Sequence, residues 1–173
     1  LVSLRKIGIG QMSCNPAIGG VGKGHLVKEV DALGGLMGRA IDATGIQFRT
    51  LNSSKGAAVR ASRAQADRDL YKQWIQDYLE GLPGLTIVEG EVASILTKDG
   101  VVQGIKLVSG EELLGSSVVL TTGTFLRGLM HTGASQTAGG RVGDTASNNL
   151  SESLKEIGFT LGRLKTGTPP RLR

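Results

Sequence analysis

Cysteine occurs once in this chain of 173 residues, histidine twice and proline four times, and aromatic residues make up only 3% of it. Each scarcity excludes something. A single cysteine rules out an internal disulfide and predicts a reducing compartment, cytoplasmic or an organellar matrix. His25 and His131 lack partners at metal-ligand spacing, so no metal site is expected. So few aromatics offer little surface for stacking on nucleic-acid bases. No apolar run approaches the roughly 20 residues of a membrane-spanning helix, and no signal peptide is visible. Glycine, by contrast, is abundant at 27 residues, alongside 39% hydrophobic residues. Many glycines without repeats or low complexity suit an α/β protein with tight turns around a ligand, not a disordered chain. Twenty basic against 15 acidic residues give a net charge of +5. That allows a polyanionic partner without requiring one.

The one cysteine, Cys14, lies in the glycine-crowded stretch QMSCNPAIGGVGKG, Gln11–Gly24, which leads into an amphipathic segment. A thiol near a helix N-terminus sits in a positive field that favours the thiolate. A lone cysteine is ordinarily a small buried hydrophobe. Here the polar neighbours Gln11, Ser13 and Asn15 argue against a core position, and Pro16 argues against a helix or strand running through it. Two nucleotide motifs fail on inspection. In a Walker loop Gly22-Lys23 would supply the G-K, but Ala17 stands at the first glycine and Gly24 at the Ser/Thr, so the magnesium ligand is missing. The G-x-G-x-x-G fingerprint fails at Ser13 in one frame and at His25 in the other.

Periodicity then lays out the elements. From about Gly24, Leu26, Val27, Val30, Leu33 and Met37 share a helical face that Gly34-Gly35 bends or breaks. Gln47–Leu51 reads as a short strand. Ser62 with Gln65 reads as a capping box opening a helix to Glu80, with Ala66, Leu70, Trp74, Ile75, Tyr78 and Leu79 as its stripe and Trp74 in the core. Leu85–Val88 is an apolar run. Val92–Leu96 and Val101–Val108 flank Asp99-Gly100, a hairpin signal, so Glu91–Leu114 reads as an inserted antiparallel meander. Ser116–Thr122 is a β-branched run expected to form a buried strand ending at Gly123. A helix over Ser147–Ile157 and a strand over Phe159–Leu164 close the pattern. The open start at Leu1 and the polar end Thr168–Arg173 predict an internal fragment of a longer protein, residues 1–173 lying within one cofactor-binding domain.

The run VVLTTG, Val118–Gly123, resembles the strand end by which flavoproteins with two dinucleotide-binding folds approach FAD. Four further stretches stand in order: QMSCNPAIGGVGKGHLVKEVDALGG, then GIQFRTLNSSKGAAVRASRAQAD (Gly45–Asp67), GGRVGD (Gly139–Asp144) and GRLKTGTPPR (Gly162–Arg171). Together they resemble the glucose-inhibited division protein A family of tRNA uridine-5-carboxymethylaminomethyl modification enzymes, over nearly the whole chain. The resemblance implies an α/β FAD-binding flavoprotein that modifies the wobble uridine of tRNA together with a GTPase partner, as a homodimer within a heterotetramer and away from any membrane. FAD, reduced by NADH, would help move a one-carbon unit from methylenetetrahydrofolate to uridine C5. The family's redox-active cysteine corresponds to Cys14. Its FAD contacts correspond to Val92, through main-chain N–H and C=O, and to Ser147, with Thr122 and Gly123 at the strand end. The family's own G-x-G-x-x-G loop is absent here, as are its second cysteine and the regions for NADH and the GTPase, so the isolated piece is expected to be inactive.

Two basic clusters, Arg49, Lys55, Arg60, Arg63, Arg68 and Arg163, Lys165, Arg171, Arg173, have two readings. They are a solvated surface with local pairs such as Arg63–Asp67, or they are phosphate contacts for tRNA. The alternatives to a tRNA-modifying parent are a small-molecule flavin oxidoreductase of the same fold and a non-catalytic module binding RNA or a protein.

Overall fold

A computed structural model describes residues 1–13 and 15–167, and these fall into two compact units. The first comprises Leu1 and Lys6–Ile87; the second comprises Val2–Arg5 and the chain from Val88 onward.

The first unit is built on a three-stranded antiparallel sheet. Its strands are β2 (Ala17–Gly19), β3 (Gly45–Leu51) and β4 (Ala61–Ala66), with β4 in the middle. β1 (Val2–Ser3) precedes them in the chain and belongs to the second unit. Helices α1 (Lys23–Ala32), α2 (Leu36–Thr44) and α3 (Arg68–Glu80) accompany the sheet. Ile18, Ala64 and Ala66 from the sheet and Ala40, Ile41, Tyr71 and Ile75 from the helices form the core, with Ile9, Met12, Val27 and Trp74 packed against it. Trp74 stacks on Tyr78 at 5.5 Å and 12°, and the Arg39 guanidinium of α2 lies 4.9 Å from the Tyr78 ring centre and bonds its hydroxyl at 3.2 Å. This cation–π contact ties α2 to α3.

Three expectations for this unit need correction. The segment from Ser62 does not open a helix. Residues 61–66 are the central strand, paired on both edges, and α3 starts at Arg68 because the Asp67 carboxylate accepts from the Asp69 and Leu70 N–H groups at 3.0 Å each. An N-cap carboxylate of this kind satisfies two of the helix's orphan donors. The buried face of α3 is accordingly Tyr71 and Ile75, while Leu70 is exposed. The Arg63–Asp67 helical pair disappears, since one residue is on a strand and the other is a cap. The break foreseen at Gly34-Gly35 is there, with Gly34 at φ 84° between α1 and α2, but the expected apolar face is not buried along its length, since Leu26 and Leu33 face solvent.

The second unit contains the foreseen meander. β6 (Val92–Lys98), β7 (Val101–Leu107) and β8 (Glu112–Leu114) pair in that order. Asp99 (φ 51°) and Gly100 (φ 77°) make the two-residue turn, whose two positive φ values match the twist of the strands it joins. β1 pairs in parallel with β5 (Val88–Glu89). A hairpin that periodicity did not reveal, β9 (Leu129–Thr132) with β10 (Ser135–Ala138), follows, and then α4 (Asn149–Ile157). Leu150 and Leu154 of α4 are buried, the helix packs on β6, and the Ser153 hydroxyl accepts the Ile95 N–H at 3.1 Å.

Ser116–Thr122 and Phe159–Leu164 form no strand. Among the described residues no strand lies alongside either run to complete its backbone ladder, so β-branched composition alone does not make one. Val119 is 85% exposed and Leu164 fully so, the opposite of the expected burial.

Candidate functional site

Thr122, Gly123 and Ser147 converge within the second unit. The Thr122 carbonyl accepts the Phe125 N–H at 3.2 Å, closing a turn in which Gly123 takes φ 58°. The Ser147 N–H donates to the Phe125 carbonyl at 2.9 Å, and the Ser147 carbonyl accepts the Arg127 N–H at 2.7 Å. Leu126 and Ser147 therefore form a parallel bridge that sets Ser147, itself buried, beside the turn after Thr122. Ser147 leads into α4, whose N-cap Asn148 makes no side-chain cap. No side chain caps the first N–H groups of α4, and helix N-termini offer such groups to phosphates.

Val92 opens β6 opposite Leu107, next to a register shift before Ser94. On either side of this shift the pairing continues: the Val108 N–H donates to the Glu91 carbonyl at 2.8 Å, and the Leu107 N–H donates to the Glu111 carbonyl at 2.8 Å on the β8 side. Such a register shift is where a strand's main chain can serve a ligand. β6, which Val92 opens, packs against α4, which Ser147 precedes in the chain.

The loop before Ser147 is fixed by a carboxylate that motif reading did not single out. Asp144 bonds Arg141 Nε at 2.5 Å and also the Arg5 guanidinium, with its own side chain only 9% exposed. Arg141, chiefly through its hydrogen bond and then its charge, together with Arg5, holds the Asp144 carboxyl below the usual carboxylate range. The i,i+3 spacing of Arg141 and Asp144 was a readable signal, whereas Arg5 is too distant in sequence to be foreseen. The Thr124 hydroxyl adds a bond to the Gly140 carbonyl at 2.9 Å, and Arg141 lies 5.4 Å from the Phe125 ring centre.

Cys14 lies outside the described residues. Its neighbours are anchored in the first unit: Asn15 Oδ1 accepts from Gln65 Nε2 at 3.1 Å, and the Pro16 carbonyl accepts the Ala66 N–H at 2.7 Å. β2 follows at once and pairs with β4. Gly19, at φ 91°, runs so close to β4 that a Cβ there would stand 2.2 Å from the Ser62 carbonyl oxygen. An open cavity of about 360 Å³ borders this sheet, lined by Ile18, Val27, Ile41, Phe48 and Ala64, with Lys28 and Asp42 among its polar groups.

Of the basic residues, Arg163 donates to the Arg127 carbonyl at 3.5 Å, while Arg171 and Arg173 lie outside the described residues. Among the described residues no group of His, Cys, Asp or Glu is placed to hold a metal ion, and no helix is long and apolar enough to cross a membrane.

The family model described as glucose inhibited division protein A matches residues 1–173. The chain is 55% identical over 172 residues to the tRNA uridine 5-carboxymethylaminomethyl modification enzyme MnmG of Geobacter sulfurreducens, covering 99% of this chain and 27% of that protein. It is 54% identical over 164 residues to the enzyme of the same name from Chlamydia felis, covering 95% of this chain and 27% of the relative. Among solved structures, Aquifex aeolicus GidA superposes with a TM-score of 0.90 at 48% identity, over 97% of this chain and 28% of that one. The chain thus spans little more than a quarter of the length of these relatives.

Proposed function

The chain belongs to the glucose inhibited division protein A family, and on that premise we propose that it is part of an FAD-dependent enzyme that modifies the wobble uridine of tRNA. What supports the reading most is the 55% identity to a tRNA uridine modification enzyme across nearly every residue present. The residues fit the cofactor in kind. The left-handed turn at Gly123, the buried Ser147 and the start of α4, which no side chain caps, are groups of the kind that receive a phosphate-bearing cofactor. When bound, FAD supplies the redox chemistry of the reaction. Val92 would offer main-chain groups to its adenine. The pair Asp144–Arg141 holds the loop that presents Ser147.

Cys14 would act on the substrate as a thiolate that adds to an electron-poor pyrimidine carbon and, once the new carbon–carbon bond has formed at C5, is expelled as the C5 proton passes to a base; the alternative is that it assists the redox chemistry. A one-carbon unit from methylenetetrahydrofolate, NADH as reductant, a GTPase partner, a homodimer within a heterotetramer and a cytoplasmic or organellar setting complete the proposal for the whole protein. The piece alone is proposed to be inactive.

The test uses the full-length protein in cells lacking its gene. Cys14→Ser should keep FAD in the purified protein while mass spectrometry finds the modified nucleoside reduced at least 100-fold. A normal nucleoside level would remove Cys14 from the chemistry. A full-length protein without flavin and without effect on tRNA nucleosides would favour a non-catalytic module.

A further inference from the structure

In the three-stranded sheet of the first unit, the register partners Ile18 and Ala64 mark the face turned toward the core, and Phe48, the partner of Ala64 on β3, shares that face but is 59% exposed. Side chains alternate across a strand, so residues one step away belong to the opposite face. There Gly19, Arg63 and Arg49 form one row and Ala17, Gln65 and Gln47 the next. Arg49 and Arg63 are thus directly opposed in an antiparallel pair, with Cβ atoms about 5 Å apart by strand geometry, an arrangement that costs stability for like charges. Among the described residues no carboxylate is salt-bridged to either of them, and β2, β3 and β4 carry no acidic residue of their own, the carboxylate that shares a cavity with both arginines being Asp42 of α2. Gly19 beside Arg63 leaves that end of the row without a side chain. Gln65 in the next row is bonded to Asn15, the residue after Cys14 in the chain.

We propose that Arg49 and Arg63, opposed on this face, clamp a phosphodiester of the bound RNA and so lay its backbone along Gln65 and Asn15. The proposal rests on the tRNA reading given above. An anion between the two guanidiniums turns a repulsive pair into two charge-assisted, fork-like contacts. Arg49 is exposed, and the cavity of about 360 Å³ that it lines together with Arg63 is open to solvent, so a polymer can pass across it. The low aromatic content agrees, because a backbone contact needs no stacking surface.

The experiment compares the full-length, flavin-loaded protein with its Arg49→Gln/Arg63→Gln variant and with Lys98→Gln, an exposed cation at the end of β6 in the second unit. Affinity for an unmodified tRNA transcript is measured across salt concentrations. Loss of two single-strand phosphate contacts should flatten the log–log salt slope by about 1.4, so that between 50 and 200 mM salt the native protein loses about sevenfold more affinity than the variant. Lys98→Gln should leave the slope unchanged. KM for tRNA should rise in the double variant while kcat at saturating tRNA holds. Without RNA the double variant should melt no lower than the native protein, since a repulsive pair has been removed.

A native slope and native KM for tRNA in a folded double variant would overturn the clamp and leave the tRNA reading intact. A slope unchanged while KM for a carboxylate co-substrate such as glycine rises would also overturn it, in favour of a small-molecule site. If the native full-length protein bound no tRNA at all, both the clamp and the reading beneath it would fall.

Discussion

Replacing Gly19 by alanine probes how the strand after the Cys14 loop is held. A Cβ at this position would lie 2.2 Å from the Ser62 carbonyl oxygen, and that oxygen also accepts the Gly20 N–H at 2.9 Å. Restoring ordinary contact requires the oxygen to retreat by about 1 Å, which breaks the Gly20 bond, worth about 1 kcal/mol. Holding a non-glycine residue at φ 91° adds strain of about 1–3 kcal/mol. Gly20→Ala is the internal control. Gly20 has φ 101° but open space around its Cβ position, so it carries the strain without the collision. The difference between the two variants isolates the close approach, at least about 1 kcal/mol or roughly fivefold in a local opening constant. Amide hydrogen exchange of residues 17–19 and 61–66 in the full-length protein is the assay. Gly19→Ala should raise exchange at β2 and β4 by at least that factor over Gly20→Ala. Equal effects would mean that β4 yields freely and that the contact does not position the loop.

Asp67→Ala should remove both capping bonds of α3 at a cost of about 1 kcal/mol, read as faster exchange at Asp69 and Leu70 with the sheet unaffected. Because the Asp144 carboxyl is held below its usual range, it contributes stability above about pH 4, lost as the pH falls through its lowered folded-state value. Asp144→Asn should therefore weaken residues 139–147 to proteolysis at pH 7 and remove the acid-dependent part of that weakening; a native acid profile in the variant would refute the assignment. Gly123→Val should reduce retained flavin after desalting, and Gly123→Asn, which tolerates left-handed backbone, tells whether space or conformation is responsible. Full flavin in both variants would remove Gly123 from the site.

The sequence spoke plainly where the signal was local. Asp99-Gly100 demands two positive φ values, and the meander followed from it; Leu150 and Leu154 mark the buried face of α4 on their own. It misled where the deciding partner is far away. The segment ASRAQA is made of residues comfortable in a helix, and only its pairing with β2 on one side and β3 on the other makes it a strand. The Ser62–Gln65 box competed with a better cap, Asp67, five residues after Ser62. For the site, the order of the glycine-rich motifs carried the family, while the Asp144–Arg5 bond and the Arg49–Arg63 opposition depend on register and folding that no local pattern encodes.

The run Ser116–Thr122 carries a consequence for anyone handling this polypeptide by itself. Seven residues, SSVVLTT, contain no charge and no proline, and their Val119 and Leu120 side chains face water. An uncharged, β-prone segment that is paired in no sheet is a template for pairing with its own copies. Produced alone, the chain should therefore lose solubility with rising concentration, through intermolecular sheet growth seeded at this run. Net charge of the whole molecule offers little protection, because the nearest charged side chains, Glu112 and Arg127, stand several residues away on either side.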